Sequence, residues 1–140
     1  MDSKIEGLYA LRNAKLEDYA FIKATWLRGL YYGESWYSMI PKDIFMKNNS
    51  LYFDKLLGST KTLVMVACLK EDPDTILGYS VISKDLKILH WIYVKSAWRN
   101  QGLAKKLTPI EMESVSHITK LGLTLLKKFP NIIINPYIEL

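Results

Sequence analysis

The sequence is short of the features that would take it out of the globular class. It has a single cysteine, Cys68, so no internal disulfide is available and a reducing compartment is expected. Cys68 sits in the apolar run Leu63–Leu69. There a small buried hydrophobe is the expected role, because a nucleophilic thiol needs an accessible, electropositive niche. No apolar run approaches the ~20 residues that cross a bilayer. The opening Met1-Asp2-Ser3-Lys4-Ile5-Glu6 carries no signal-peptide core, so a soluble, cytoplasmic protein with no membrane partner is expected. Internal repeats, Gly/Ser tracts and Pro-rich linkers are also missing, and 140 residues are then read as one domain spanning residues 1–140.

What is present suits a folded core. Hydrophobic residues make up 49% and charged residues 24%, which excludes a disordered or low-complexity chain. The net charge of +5 permits a polyanionic partner without requiring one. That charge is spread evenly except in one window. From Leu86 to Ile110 there is no acidic residue, while Lys87, Lys95, Arg99, Lys105 and Lys106 fall inside it. Four Trp and nine Tyr are generous for this size and suit a core or a ligand-lined cleft.

Periodicity supplies the elements. Leu8–Arg12 reads as a first strand, with Asn13 placed to start a helix. Tyr19, Ile22, Trp26 and Leu30 follow helical spacing, Glu17 and Asp18 fall in the expected first turn, and Gly29 and Gly33 are expected to close the helix. An aromatic loop from Tyr31 to Met39 follows. Pro41 then opens a second helix, with Phe45, Tyr52 and Leu56 on one stripe, weakened by Asn48, Asn49 and Ser50. After Gly58 the period shortens, predicting strands at Thr62–Leu69, Ile76–Ser83 and Ile88–Val94 as an antiparallel meander. A short helix over Gly102 to Thr108 stops at Pro109. Glu113–Thr119 reads as a strand with Val115, His117 and Thr119 on one face, Lys120–Phe129 as a helix, and Asn131–Asn135 as a last strand. The expected class is α+β, in the order β-α-α-β-β-β-α-β-α-β.

The stretch from Ile92 to Ala104 carries the chemistry. A strand runs through a basic turn into a helix that begins near Gly102. Unpaired backbone N–H groups collect at such a point and favour an anion such as a phosphate, and a glycine lets it approach the main chain. Arg99, Lys105 and Lys106 add charge.

Arg99–Ala104 resembles the pyrophosphate-binding loop of the GCN5-related N-acetyltransferase superfamily, whose pattern is Arg/Gln-x-x-Gly-x-Gly/Ala directly after a strand. The order of elements is similar too. So are Leu11–Asp18, which resembles the family's opening strand and first-helix start, and Ile76-Leu77-Gly78-Tyr79, which resembles the start of its third strand. The resemblance covers roughly residues 8 to 137. It implies a mixed, mostly antiparallel sheet flanked by helices, and acetyl-CoA as cosubstrate. Its pyrophosphate would lie on Asn100, Gln101, Gly102, Leu103 and Ala104 with Arg99 beside it, and its pantetheine arm would pair with Tyr93, Val94 and Lys95. A splay between that strand and residues 113–119 would admit the arm, and the thioester would lie near His90 and Ile92. The short helix after the loop, an expected missing final strand and the lack of a Tyr in Lys120–Phe129 depart from the family. Such compact forms resemble acetyltransferase-like proteins encoded by bacteriophages, which would act in the host cytoplasm.

Acetyl transfer needs a base for the ammonium, donors for the oxyanion and an acid for the thiolate. His90 stands where the family often has a Glu base; the alternative is a histidine hydrogen-bonded at the sheet surface. His117 on the next strand is a second candidate. Glu34, in the aromatic loop, is a third, or an exposed loop acid. For the thiolate acid Tyr137 is the candidate, or it is a packing residue. The backbone N–H following Val94 is a candidate oxyanion donor. Tyr31, Tyr32, Trp36 and Tyr37 line the acceptor side, or cover a core edge or a dimer contact. Two lone histidines and one cysteine show no metal-ligand spacing. The expected function is N-acetyl transfer from acetyl-CoA to a small-molecule or protein amine. The alternative is an inactive form of the fold that binds CoA or a protein. An exposed sheet edge would suit a homodimer, and the sparse stacking aromatics of the basic window argue against nucleic acid.

Overall fold

A computed structural model describes residues 7–83, 85, 87–108, 112–117 and 131–134. Six strands form one sheet in the order of the chain: β1 (Tyr9–Asn13), β2 (Thr62–Leu69), β3 (Ile76–Ser83), β4 (Ile88–Val94), β5 (Ser114–Val115) and β6 (Ile133–Ile134). The first four make an antiparallel meander, and β5 and β6 then join in parallel. Helices α1 (Tyr19–Gly33) and α2 (Lys42–Leu57) are separate from the short α3 (Leu103–Lys106). The fold is therefore α+β with a mixed, mostly antiparallel sheet. The helix expected at Lys120–Phe129 lies outside the described residues.

The strands β2, β3 and β4 have the ranges that alternation and turn chemistry predict. Helix boundaries differ. Asn13 belongs to β1, and a 3-10 turn at Leu16–Asp18 precedes α1. That turn is set by Asp18, whose carboxylate accepts the Lys15 backbone N–H at 2.7 Å and the Arg12 guanidinium at 2.6 and 3.0 Å. The hydrogen bonds from Arg12 hold the Asp18 carboxyl below its usual range, against the opposing effect of burial. Glu17 and Asp18 thus serve the entry turn and not the helix's own first turn.

Gly29 does not end α1, which continues to Gly33. A Cβ at Gly29 would lie 2.8 Å from the Trp91 ring, so this glycine serves close packing of the helix on β4. Asn48 and Asn49 do not weaken α2 visibly, because their amides donate to the Ile44 and Phe45 carbonyls one turn back. The second stripe also includes the fully buried Phe53, stacked on Trp26 with ring centroids 3.7 Å apart.

The two faces of the sheet carry unequal cores. Ile22, Trp26 and Leu30 of α1 and Phe45, Phe53 and Leu56 of α2 pack with Val66, Tyr79 and Val81 on one face. On the other, Leu103 and Leu107 pack on Ala67 and Leu77, with Ile92, Val94 and Trp98 against them. Cys68 is buried, as a small core residue should be. No described helix is long and apolar enough to cross a membrane.

Candidate functional site

Strand β4 connects two different environments. Its first residues pair with β5 through Ile88↔Ser114 and Leu89↔Val115, and Ser116 N–H donates to the Leu89 carbonyl at 3.2 Å. Pairing with β5 stops there, yet β4 runs on to Val94. Among the described residues the pairing ends at Leu89, so the expected splay, or fork, would begin at His90; residues 118 and 119 of the expected strand lie outside the described residues.

A β-bulge stands at the same place. On β3, Val81 faces Trp91 and Ile82 faces Leu89, which leaves His90 as the additional residue of β4. The bulge decides which main-chain groups face the fork. Lys95 N–H donates to the Leu77 carbonyl at 2.8 Å, so by alternation Tyr93 and Trp91 also turn toward β3. Ile92 and Val94 then turn their N–H and C=O groups outward. The Val94 carbonyl accepts the Arg99 Nε–H at 2.8 Å, which ties the following loop to the strand end.

This bonding corrects one expectation. The N–H following Val94 belongs to Lys95 and is already spent on Leu77, so it is not available to an oxyanion. Tyr93 is also resolved into two parts: its ring packs edge-on to Phe21 and tilted against Tyr79, inside the aromatic core, and only its neighbours' main chain borders the fork.

Beyond β4 the chain makes a 3-10 turn at Ser96–Trp98 and then enters the loop Arg99–Gly102. Asn100 and Gly102 both adopt positive φ, at 62° and 83°. Such geometry is natural for glycine and tolerated by asparagine. Left-handed residues in a loop are the backbone setting in which N–H groups form anion-binding nests. Among the described residues, the N–H groups from Asn100 through Lys105 find no acceptor, whereas those of Lys106, Leu107 and Thr108 do. A Cβ added at Gly102 would meet nothing within 4 Å, so the space beside it is open. Asn100 and Ala104 are exposed, Gln101 is half-buried and Leu103 anchors α3 in the small core. Helix α3 is shorter than the sequence predicts, ending at Lys106.

At the apex of the fork His90 and Ser116 are buried and His117 is partly buried. His90 is 1% exposed, and its Nδ1 lies 2.7 Å from Ser116 Oγ. The same hydroxyl lies 2.8 Å from His117 Nδ1. Burial lowers both imidazoles to about 4, with the neighbouring His117 adding to the effect on His90, so both are neutral near pH 7. His117 packs against Trp26, Tyr52 and Phe53 at centroid distances of 5.9, 5.5 and 6.0 Å. The two histidines taken from the sequence are thus brought together. His90 is not the surface histidine of the alternative reading.

The remaining candidates go elsewhere. Glu34 has local contacts, accepting the Ser35 N–H at 3.1 Å and raising the Tyr37 hydroxyl's pKa in support of burial. Tyr137 lies outside the described residues. Tyr31 is buried, its hydroxyl donating to the Ile40 carbonyl at 2.9 Å, while Tyr32 and Trp36 are exposed. Among the described residues no group of three His, Cys, Asp or Glu side chains could hold a metal ion. Ser116 was missed by sequence reasoning, which placed it and His117 on opposite faces of a strand through Thr119. The strand ends at Val115, alternation lapses, and both side chains converge on one hydroxyl.

No protein-family model matches this sequence, and no curated protein is similar to it at a significant level. Solved structures are similar in fold. A predicted acetyltransferase from Clostridium acetobutylicum, crystallised with acetyl-CoA, superposes with a TM-score of 0.60 at 17% identity, covering 95% of this chain and 96% of that one. A provisionally assigned acetyl transferase from Pyrococcus furiosus gives 0.55 at 17% identity, covering 94% and 83%. AAC(6')-Iy in complex with a CoA bisubstrate analogue gives 0.50 at 16% identity and covers 86% of each chain. The fold is the one these acetyltransferase structures share.

Proposed function

We propose, taking that shared fold as the premise, that the protein is an acetyl-CoA-dependent N-acetyltransferase. The observation that carries this reading is the continuity of one strand: among the described residues β4 has no β5 partner beyond Leu89, and it ends in a loop of unpaired N–H groups beside open space at Gly102. The residues present suit acetyl-CoA on structural grounds. Asn100, Gln101, Gly102, Leu103 and Ala104 offer N–H groups to a pyrophosphate, and Lys105 and Lys106 add positive charge without a nearby acid in sequence. Arg99 spends its Nε on Val94, which leaves the rest of its guanidinium for an anion beside the loop.

Ile92 and Val94 present the main-chain groups that an amide-bearing pantetheine arm pairs with, in the manner of an added strand. Lys95 borders a neighbouring cavity of about 430 Å³ whose lining includes Glu17, Asp18 and Asp74. Bound acetyl-CoA supplies an acyl group activated as a thioester. The chain's own candidates at the apex are His90 and His117: both are neutral near pH 7, and His90 keeps Nε2 as the nitrogen not engaged with Ser116. Glu34 and Tyr137 remain further proposed groups for the acceptor amine and the leaving thiolate. The acceptor is an amine, of a small molecule or of a protein.

One observation favours a second reading. Imidazoles lowered to about 4 are weak bases, which suits a non-catalytic form that retains CoA or binds a protein. Calorimetric titration with acetyl-CoA tests the first reading: no heat of binding at millimolar concentrations would remove it. CoA release with a panel of amines separates the two, because a pure binder gives none above background.

A further inference from the structure

Three groups at the fork apex share one hydroxyl proton. We propose that His90, Ser116 and His117 form a proton relay in which the two imidazoles are held in opposite tautomers, with Ser116 as the positioning residue that couples them. This rests on the acetyl-transfer reading for its use, and on hydrogen-bond stoichiometry for its existence.

A serine hydroxyl donates once and accepts up to twice. Ser116 Oγ lies 2.7 Å from His90 Nδ1 and 2.8 Å from His117 Nδ1, and no other acceptor for it occurs among the described residues. Two Nδ1 lone pairs would compete for its one proton. Two Nδ1–H groups would leave that proton with no acceptor in a buried site, which is costly. The satisfied arrangement has one Nδ1–H donating to Oγ while Oγ–H donates to the other Nδ1.

The orphaned atom gives the direction. Among the described residues His90 Nε2 is buried without a partner. In the resting state His90 carries its proton on Nδ1 and keeps the Nε2 lone pair free, and His117 carries its proton on Nε2. When His90 Nε2 takes a proton from an incoming ammonium, its Nδ1 proton passes to Ser116 Oγ and the serine's own proton passes to His117 Nδ1. Ser116 is unchanged, His90 is neutral again in the other tautomer, and the positive charge rests on His117. That ring lies about 6 Å from the centroids of Trp26, Tyr52 and Phe53, and burial there opposes the charge, so the cation on His117 is a transient one.

Among the described residues few other titrating groups surround the pair. α1 presents Trp26, α2 presents Tyr52 and Phe53, and β4 presents Trp91 to this region. Tyr52 stays protonated, raised by burial. The ion pair of Lys87 and Glu113 lies three residues upstream of His90 and Ser116, and is exposed.

The chain has two histidines, so nitrogen-15 labelling of histidine gives four imidazole signals. Near pH 7 we expect one Nδ1–H and one Nε2–H ring, collapsing to the same tautomer in Ser116→Ala. In the same variant CoA release with a reactive amine should fall about tenfold or more, with a changed pH profile, while calorimetric affinity for acetyl-CoA is kept; Ser116→Thr should restore the tautomer pair. Matching tautomers in the unaltered protein would overturn the relay and leave the acetyl-transfer reading standing. Opposite tautomers without acetyl-CoA binding would do the reverse.

Discussion

The two ends of β4 are built on opposite principles. At its start, side chains do the work: two imidazoles, a hydroxyl and three aromatic rings meet where His90 and Ser116 are buried and His117 partly so. At its far end the main chain does it, through N–H groups aimed at open space by two residues of positive φ. Burial makes the first end sensitive to charge, because an ion there lacks solvation. Exposure makes the second tolerant of charge and dependent on backbone shape. One strand thus joins a site suited to moving a proton to a site suited to holding an anion.

The comparison breaks first under acid. Both histidines sit near 4 in the folded protein and near 6.5 unfolded, so the unfolded chain binds protons first as pH falls. Stability is fully present above pH 6.5 and is lost toward pH 4, by about 3 kcal/mol per histidine. Urea unfolding across that range measures it, and a flat profile would mean the apex is wetter than its packing indicates. Next in size is Gly78→Val. A Cβ there would lie 2.6 Å from the Tyr93 carbonyl and 3.3 Å from Leu107 Cδ1, so unfolding should show a loss of about 3 kcal/mol.

Gly102→Glu sharpens the contrast from the other side. The positive φ of 83° costs any side chain about 1 kcal/mol, whereas affinity for acetyl-CoA in calorimetry should fall at least tenfold. Unchanged affinity would detach the loop from the ligand. The smallest effect belongs to Arg99→Ala, which removes an exposed side chain and its bond to Val94. We expect roughly a threefold weaker affinity, a shallower salt dependence and little change in melting temperature.

The sequence is a good guide to the open end and a poor one to the closed end, for the same reason. A strand, a turn, a glycine and a run of basic residues are contiguous, and contiguous features are carried by local propensity. The ranges of β2, β3 and β4 are legible because β-branched and apolar runs are punctuated by Asp72-Pro73-Asp74 and by a second turn. The apex depends on tertiary convergence. Nothing in Ile88–Val94 marks His90 as an inserted residue, and nothing in Ser114–His117 shows that the strand stops early enough for Ser116 and His117 to share a partner. Gly29 shows the same limit: read locally it ends a helix, and read in space it is the place where Trp91 fits.

The bulge at His90 also changes the phase of the edge that β4 turns toward β5. Before the bulge, Lys87 and Leu89 direct their carbonyls to the β5 side; after it, Ile92 and Val94 do so. The rhythm of donors and acceptors skips a beat between Leu89 and Ile92. A straight continuation of β5 would keep a two-residue rhythm and meet β4 out of phase from His90 onward. On the reading proposed above, the groups of Ile92 and Val94 then suit a guest whose amide spacing matches their own better than they suit an in-phase continuation of β5.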